Sequence, residues 1–166
     1  MSFGKGIKKR SFAVLVVLAV ALFSIPEFGA APGGIGTGGD EGCICHNAGT
    51  PSTDTVVTLS GLPDTFNAST EYPLVLTVEN QNLIGSQVTD GRNGGFRVLF
   101  SSGDLSGDAA LTKIMNGGLT HTEAGNDFRT WNLTWTSPSN DAQKVDFLVH
   151  GNAVSGDADS IANEGE

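Results

Sequence analysis

Six or seven short stretches of this chain alternate apolar and polar side chains with a period of two, each closed by glycine, proline, aspartate or asparagine. That pattern builds strands with one buried face. Leu74, Leu76 and Val78 share one face of 72–79, with Pro73 near the start, where a strand tolerates it. Phe96, Val98 and Phe100 share a face of 96–101; Trp131, Leu133 and Trp135 share a face of 128–136. Val145, Phe147 and Val149 do the same in 145–150, and the β-branched run 55–60 is closed by Gly61 and Pro63. Residues 111–115 form a shorter, weaker stretch. No helical stripe of ten or more residues runs through this part of the chain, and 23 glycines exclude a helical bundle. The expected fold is all-β, an antiparallel β-sandwich of about seven strands. Long loops are expected at 80–95, 102–109 and 116–127, where binding on a rigid sandwich usually resides.

The first 31 residues read as an address. Lys5, Lys8, Lys9 and Arg10 precede an apolar run of 14 residues, Phe12 to Ile25, which Pro26 ends and small residues follow. At ~1.5 Å per residue such a run covers roughly 21 Å, short of a ~30 Å hydrocarbon core. The layout is that of a secretory signal peptide over 1–31, with an uncleaved N-terminal anchor as the alternative and then the sole membrane contact. No cysteine directly follows the run, so a lipoprotein is not expected. Of the 9 basic and 18 acidic side chains, four and one fall in 1–31; the remainder carries 5 and 17, a net charge of −12. An acidic surface of that kind argues against nucleic acid, which needs a basic face. It suits cations or a basic protein partner.

A Gly-rich linker is expected over 32–54, ahead of the sandwich domain at 55–166, and it carries the only two cysteines. They stand in Cys43-Ile44-Cys45-His46. A disulfide across one residue closes a small ring and staples no useful loop. Cys-x-x-Cys-His is the c-type haem attachment signature, in which two sulfurs bond the porphyrin and the histidine ligates iron. The spacing here is one residue shorter. Haem, another metal such as zinc or copper, and a disulfide or free thiol pair all remain open. A haem electron carrier has a second axial ligand. Beyond 1–31 the side chains available are Met115, His121 and His150. His121, at the end of loop 116–127 and just before the Trp strand, is the stronger candidate; His150, ending an apolar strand, is the weaker.

Asp104, Asp108, Asp157 and Asp159 lie in Gly/Ser-rich turns that suit solvated carboxylates or a weak Ca²⁺ site. Asn67 and Asn132 head glycosylation sequons, with Asn67 the better placed because Asn132 sits in an expected strand. There is no Gly-x-Ser-x-Gly elbow, no His-Glu-x-x-His and no phosphate loop between strand and helix, so an enzyme is not expected.

Several segments in order — Gly42 to His46, Thr58 to Pro63, Tyr72 to Val78, Gly95 to Val98, Thr120-His121-Thr122, Trp131 to Pro138 and Gly151 to Asp157 — carry a family likeness. Over about residues 42–157 the chain resembles the prokaryotic choice-of-anchor V domains, which are similar to the Reeler (reelin N-terminal) domain. The resemblance implies an exported or cell-surface, Ig-like or Reeler-like sandwich, with a haem-type motif near its start and a His-Thr pair before the Trp strand. By that match Cys43 and Cys45 would fasten haem c, with His46 as the proximal and His121 as the distal iron ligand. The motif has one residue fewer than the family's, and no recognisable C-terminal anchor is expected after Glu166. The expected function is electron transfer to a basic redox partner, with a homo-oligomer or filament of such subunits as an extension. The alternative is a non-redox adhesion or structural module, Ca²⁺-bound or glycosylated.

Overall fold

In the computed structural model, which describes residues 33–40, 52–83 and 92–154, the period-two segments pair into two antiparallel sheets. The strands are β1 (Thr55–Ser60), β2 (Glu71–Asn80), β3 (Gly94–Phe100), β4 (Asp104–Gly107), β5 (Thr112–Met115), β6 (Gly118–His121), β7 (Thr130–Thr136) and β8 (Phe147–Ala153). One sheet has the order β1-β2-β7-β4 and the other β5-β6-β3-β8. The architecture is therefore the expected all-β sandwich.

The core lies where the two apolar faces meet. β2 supplies Leu74, Leu76 and Val78; β7 supplies Trp131, Leu133 and Trp135. Phe96 and Val98 of β3, Leu119 of β6 and Ala153 of β8 close it from the other sheet. Register aligns these sets: Leu74 pairs with Leu133, Leu76 with Trp131, and Val98 with both Leu119 and Val149. The Trp131 ring packs 4.7 Å from Phe96, and its indole N–H donates to the Gly125 carbonyl at 2.9 Å. Burying each such side chain contributes roughly 1.5–3 kcal/mol.

Two four-residue strands, β4 and β6, lie inside 102–109 and 116–127, which were expected as loops. Their sequences, DLSG and GLTH, are too short and polar to show alternation. β5 and β6 form a hairpin around Asn116-Gly117, both at positive φ (48° and 78°), the geometry of a type I′ turn. β8 starts at Phe147 and runs past His150 to Ala153, pairing with β3 throughout. Phe128 stays outside β7 and is exposed.

The described part of the expected linker, residues 33–40, is packed. It lies across the face of the second sheet that points away from the core, with a 3-10 turn at Thr37–Gly39.

Candidate functional site

Register places three polar side chains side by side on that outer face. Arg97 on β3 pairs with Thr120 on β6 and with His150 on β8. The strap of residues 33–40 crosses over all three. At its start Gly33 approaches the Lys113 ammonium on β5, and the Ile35 amide donates to Thr120 Oγ1 at 3.1 Å. Gly34, at φ +96°, lies against Thr120 and the His121 carbonyl, where a Cβ would collide. In the middle, Arg97 Nε donates to Asp40 in an ion pair. Its Nη1 donates to the carbonyls of Ile35 (3.3 Å) and Met115 (2.8 Å), and its Nη2 to Asn116 (3.2 Å). At the far end His150 Nδ1 donates to the Gly39 carbonyl at 2.7 Å. The strap therefore runs from the β5 side of the sheet to β8, and Asp40 is its last described residue.

Arg97 makes this placement firm. It is 1% exposed, and a buried guanidinium needs both a counter-charge and partners for its N–H groups. Asp40 is the counter-charge, and carbonyls of the strap and of the β5–β6 hairpin take the remaining donors. One side chain thus ties the strap, the hairpin and β3 together. Sequence reasoning singled out neither Arg97 nor Asp40. The available signal was a lone arginine inside the apolar strand FRVLF, followed downstream by the Asn-Gly hairpin turn.

The two histidines fare differently. His121 is 5% exposed and sits where the β3–β6 ladder stops. Its Nδ1 accepts the Phe96 amide N–H at 3.0 Å, in place of a backbone carbonyl. The Phe96 carbonyl and Thr120 Oγ1 lie farther off, each at 3.4 Å, and are already bonded to one another at 2.7 Å. The ring lies against Gly95, where a Cβ would come within 2.5 Å of His121 Cε1. A neutral ring that accepts through Nδ1 carries its proton on Nε2. His150 is half-buried and has the opposite tautomer. A carbonyl can only accept, so its Nδ1 holds a proton.

Cys43, Cys45 and His46 lie outside the described residues, as do Asp157 and Asp159. Asp108 Oδ1 accepts the Ala110 amide in a local turn, and Asp104 is exposed on β4. Among the described residues no group of three or more His, Cys, Asp or Glu side chains converges as a metal site. Nor is any described helix long and apolar enough to cross a membrane. Asn67 and Asn132 both expose their side chains, Asn67 in the β1–β2 connection and Asn132 on the outer face of β7. A second buried arginine, Arg129, binds the carbonyls of Asn93 (2.9 Å), Leu83 (2.9 Å) and Val154 (2.6 Å). Desolvation lowers its pKa from the ordinary arginine value.

No family model matches the chain, and no curated protein does. Solved structures do. A human F-spondin reeler domain aligns at 14% identity over 58% of this chain and 74% of its own, with a TM-score of 0.43. A Reelin-N domain of F-spondin aligns at 14% identity over 58% and 70%, with a TM-score of 0.40. A conjugative transposon lipoprotein from Bacteroides eggerthii aligns at 14% identity over 61% and 87%, with a TM-score of 0.41.

Proposed function

We propose that this chain is an exported or cell-surface β-sandwich module that holds one c-type haem at Cys43-Ile44-Cys45-His46 and passes electrons. The observation that carries the reading is the pinned strap. Asp40, three residues before Cys43 in sequence, is fixed to the buried Arg97. A redox group needs such an anchor, because electron transfer depends on a fixed distance to the partner.

In this reading Cys43 and Cys45 hold the porphyrin and His46 ligates iron; the haem supplies reversible one-electron chemistry when bound. The chain's own residues do the rest. Arg97, Asp40 and the Gly39 carbonyl hold the strap that precedes the motif in sequence, and the acidic surface attracts a basic redox partner over long range. The N-terminal 31 residues support export, as does the secretory character of their charge and apolar run. Association of such subunits into a homo-oligomer or filament would place haems in series.

Protein purified from its native host tests the reading. The expected result is a visible Soret band that stays with the polypeptide after denaturation, together with a mass increment of one haem per chain. A colourless chain whose Cys43 and Cys45 are both alkylated without reduction overturns it and leaves the adhesion or structural module.

A further inference from the structure

The chain contains two Asn-Gly pairs, and the fold treats them in opposite ways. Asparagine loses its side-chain amide most readily before glycine, because no side chain shields the next backbone nitrogen from the asparagine Cγ. Asn93-Gly94 is guarded against this reaction. Asn93 is 1% exposed, its Nδ2 donates to the Asp127 carbonyl at 2.8 Å, and its own carbonyl accepts Arg129 Nε and the Val154 amide. Asn116-Gly117 is open. Both residues are exposed at the tip of the β5–β6 hairpin. Neither the Asn116 side-chain amide nor the Gly117 N–H has a hydrogen-bond partner among the described residues. A Cβ placed on Gly117 would meet nothing within 4 Å. The same tip touches the strap and its anchor. The Asn116 side chain lies against Gly36, where a Cβ would collide, and the Asn116 main-chain carbonyl accepts Arg97 Nη2 at 3.2 Å.

We propose that Asn116 is a deamidation site, and that its isoaspartyl product competes with Asp40 for Arg97. The Gly117 nitrogen bonds to Asn116 Cγ, the Cγ–Nδ2 bond breaks, and ammonia leaves with the Gly117 proton. Solvent water then opens the cyclic imide. Attack at Cγ breaks the new Cγ–N bond and gives aspartate. Attack at the main-chain carbonyl carbon of residue 116 breaks the original peptide bond and gives isoaspartate. In that product the main chain runs through Cβ, and the carbonyl that Arg97 Nη2 holds becomes a free carboxylate. A carboxylate binds a guanidinium more strongly than a neutral carbonyl does. The buried Arg97 then has a counter-charge on the hairpin itself and no longer depends on the one that the strap supplies. The reaction is thus a slow, one-way release of the strap, independent of any group that the cysteines hold.

The test ages the full chain at mildly alkaline pH, which speeds the attack by removing the Gly117 amide proton, both in buffer and in urea. Tryptic peptides 93–97 and 114–129 separate the two pairs, and fragment masses place the change within each. Isoaspartate is read by enzymatic methylation, and the strap by amide hydrogen exchange. In buffer, residue 116 should gain the mass of an acid and accept methyl groups while Asn93 stays intact; in urea both should react. Asn93 reacts only from opened molecules, and each ~1.4 kcal/mol of opening free energy slows it about tenfold relative to Asn116. In the isoaspartyl fraction, exchange of the strap amides should rise. Asn116→Asp carries its carboxylate on the side chain and keeps the main-chain carbonyl, so its strap should stay as protected as in fresh wild type. Equal rates at the two pairs in buffer, or reaction at Asn116 in urea alone, overturn the site. A strap equally protected in the isoaspartyl fraction and in fresh protein overturns the release.

Discussion

The two ends of the strap use histidine in opposite ways. At the β6 end His121 substitutes for a missing backbone partner; its Nδ1 takes the Phe96 amide, and its ring is sealed against Gly95. At the β8 end His150 gives its Nδ1 proton to the Gly39 carbonyl of the strap. The deciding factor is the backbone group that each ring meets. An N–H needs an acceptor nitrogen and a C=O needs a donor one, so two residues of the same type become an acceptor that ends a ladder and a donor that holds the strap. Residue type alone could not separate them.

Disrupting the link between the two ends should have the largest effect. Asp40→Ala leaves the Arg97 guanidinium buried without its counter-charge. Removing one partner of a buried pair costs roughly 3–5 kcal/mol. Asp40 is one-third exposed, so the lower end of that range, about 3 kcal/mol, is the expected loss in urea unfolding. Amide exchange in the strap should rise towards that of an unstructured segment. A loss below about 1 kcal/mol would mean that water replaces the carboxylate and that the strap is not held by this pair.

At the His121 end, His121→Ala leaves the Phe96 amide buried without an acceptor and opens a cavity beside Phe96. The expected loss is roughly 2–3 kcal/mol. Gly95→Ala probes the same site from the other side. Its Cβ would meet the imidazole at 2.5 Å, and overpacking of this kind costs roughly 1–3 kcal/mol. Both are read as shifts in the urea midpoint at constant slope. If either variant unfolds like the wild type, the ring is not packed as a structural group.

Much of this was legible from residue pattern. Leu74, Leu76, Val78 and the two tryptophans announced their shared faces, because strand alternation is local and survives burial. β4 and β6 were not legible, because in four residues such as GLTH the period cannot declare itself, and their pairing is set by partners far along the chain. The Asn116-Gly117 turn was the missed clue to the hairpin. The strap was hidden for a different reason. A Gly-rich run reads as a linker, yet glycine is what lets Gly34 lie against the His121 carbonyl and cross the sheet closely enough for Arg97 to reach Asp40. His121 was marked by its neighbours in sequence, whereas a candidate's availability depends on what its nitrogens already bond, and that is a tertiary fact.

The smallest expected effect separates the two ends most cleanly. His150→Asn should cost under about 1 kcal/mol, because the ring is half-buried and the asparagine amide can still bond the Gly39 carbonyl. Stability alone would then make His150 look dispensable. Nitrogen-15 resonances of the imidazoles in haem-free protein read the difference directly. His121 should carry its proton on Nε2, because the Phe96 N–H already occupies Nδ1. His150 should carry its proton on Nδ1, because the Gly39 oxygen has none to give. If His150 instead shows the Nε2–H form, the strap end is not bonded to it as described. A low energetic cost with a fixed hydrogen bond would show that the strap end at Gly39 does not depend on this one ring, in contrast to the Asp40–Arg97 pair.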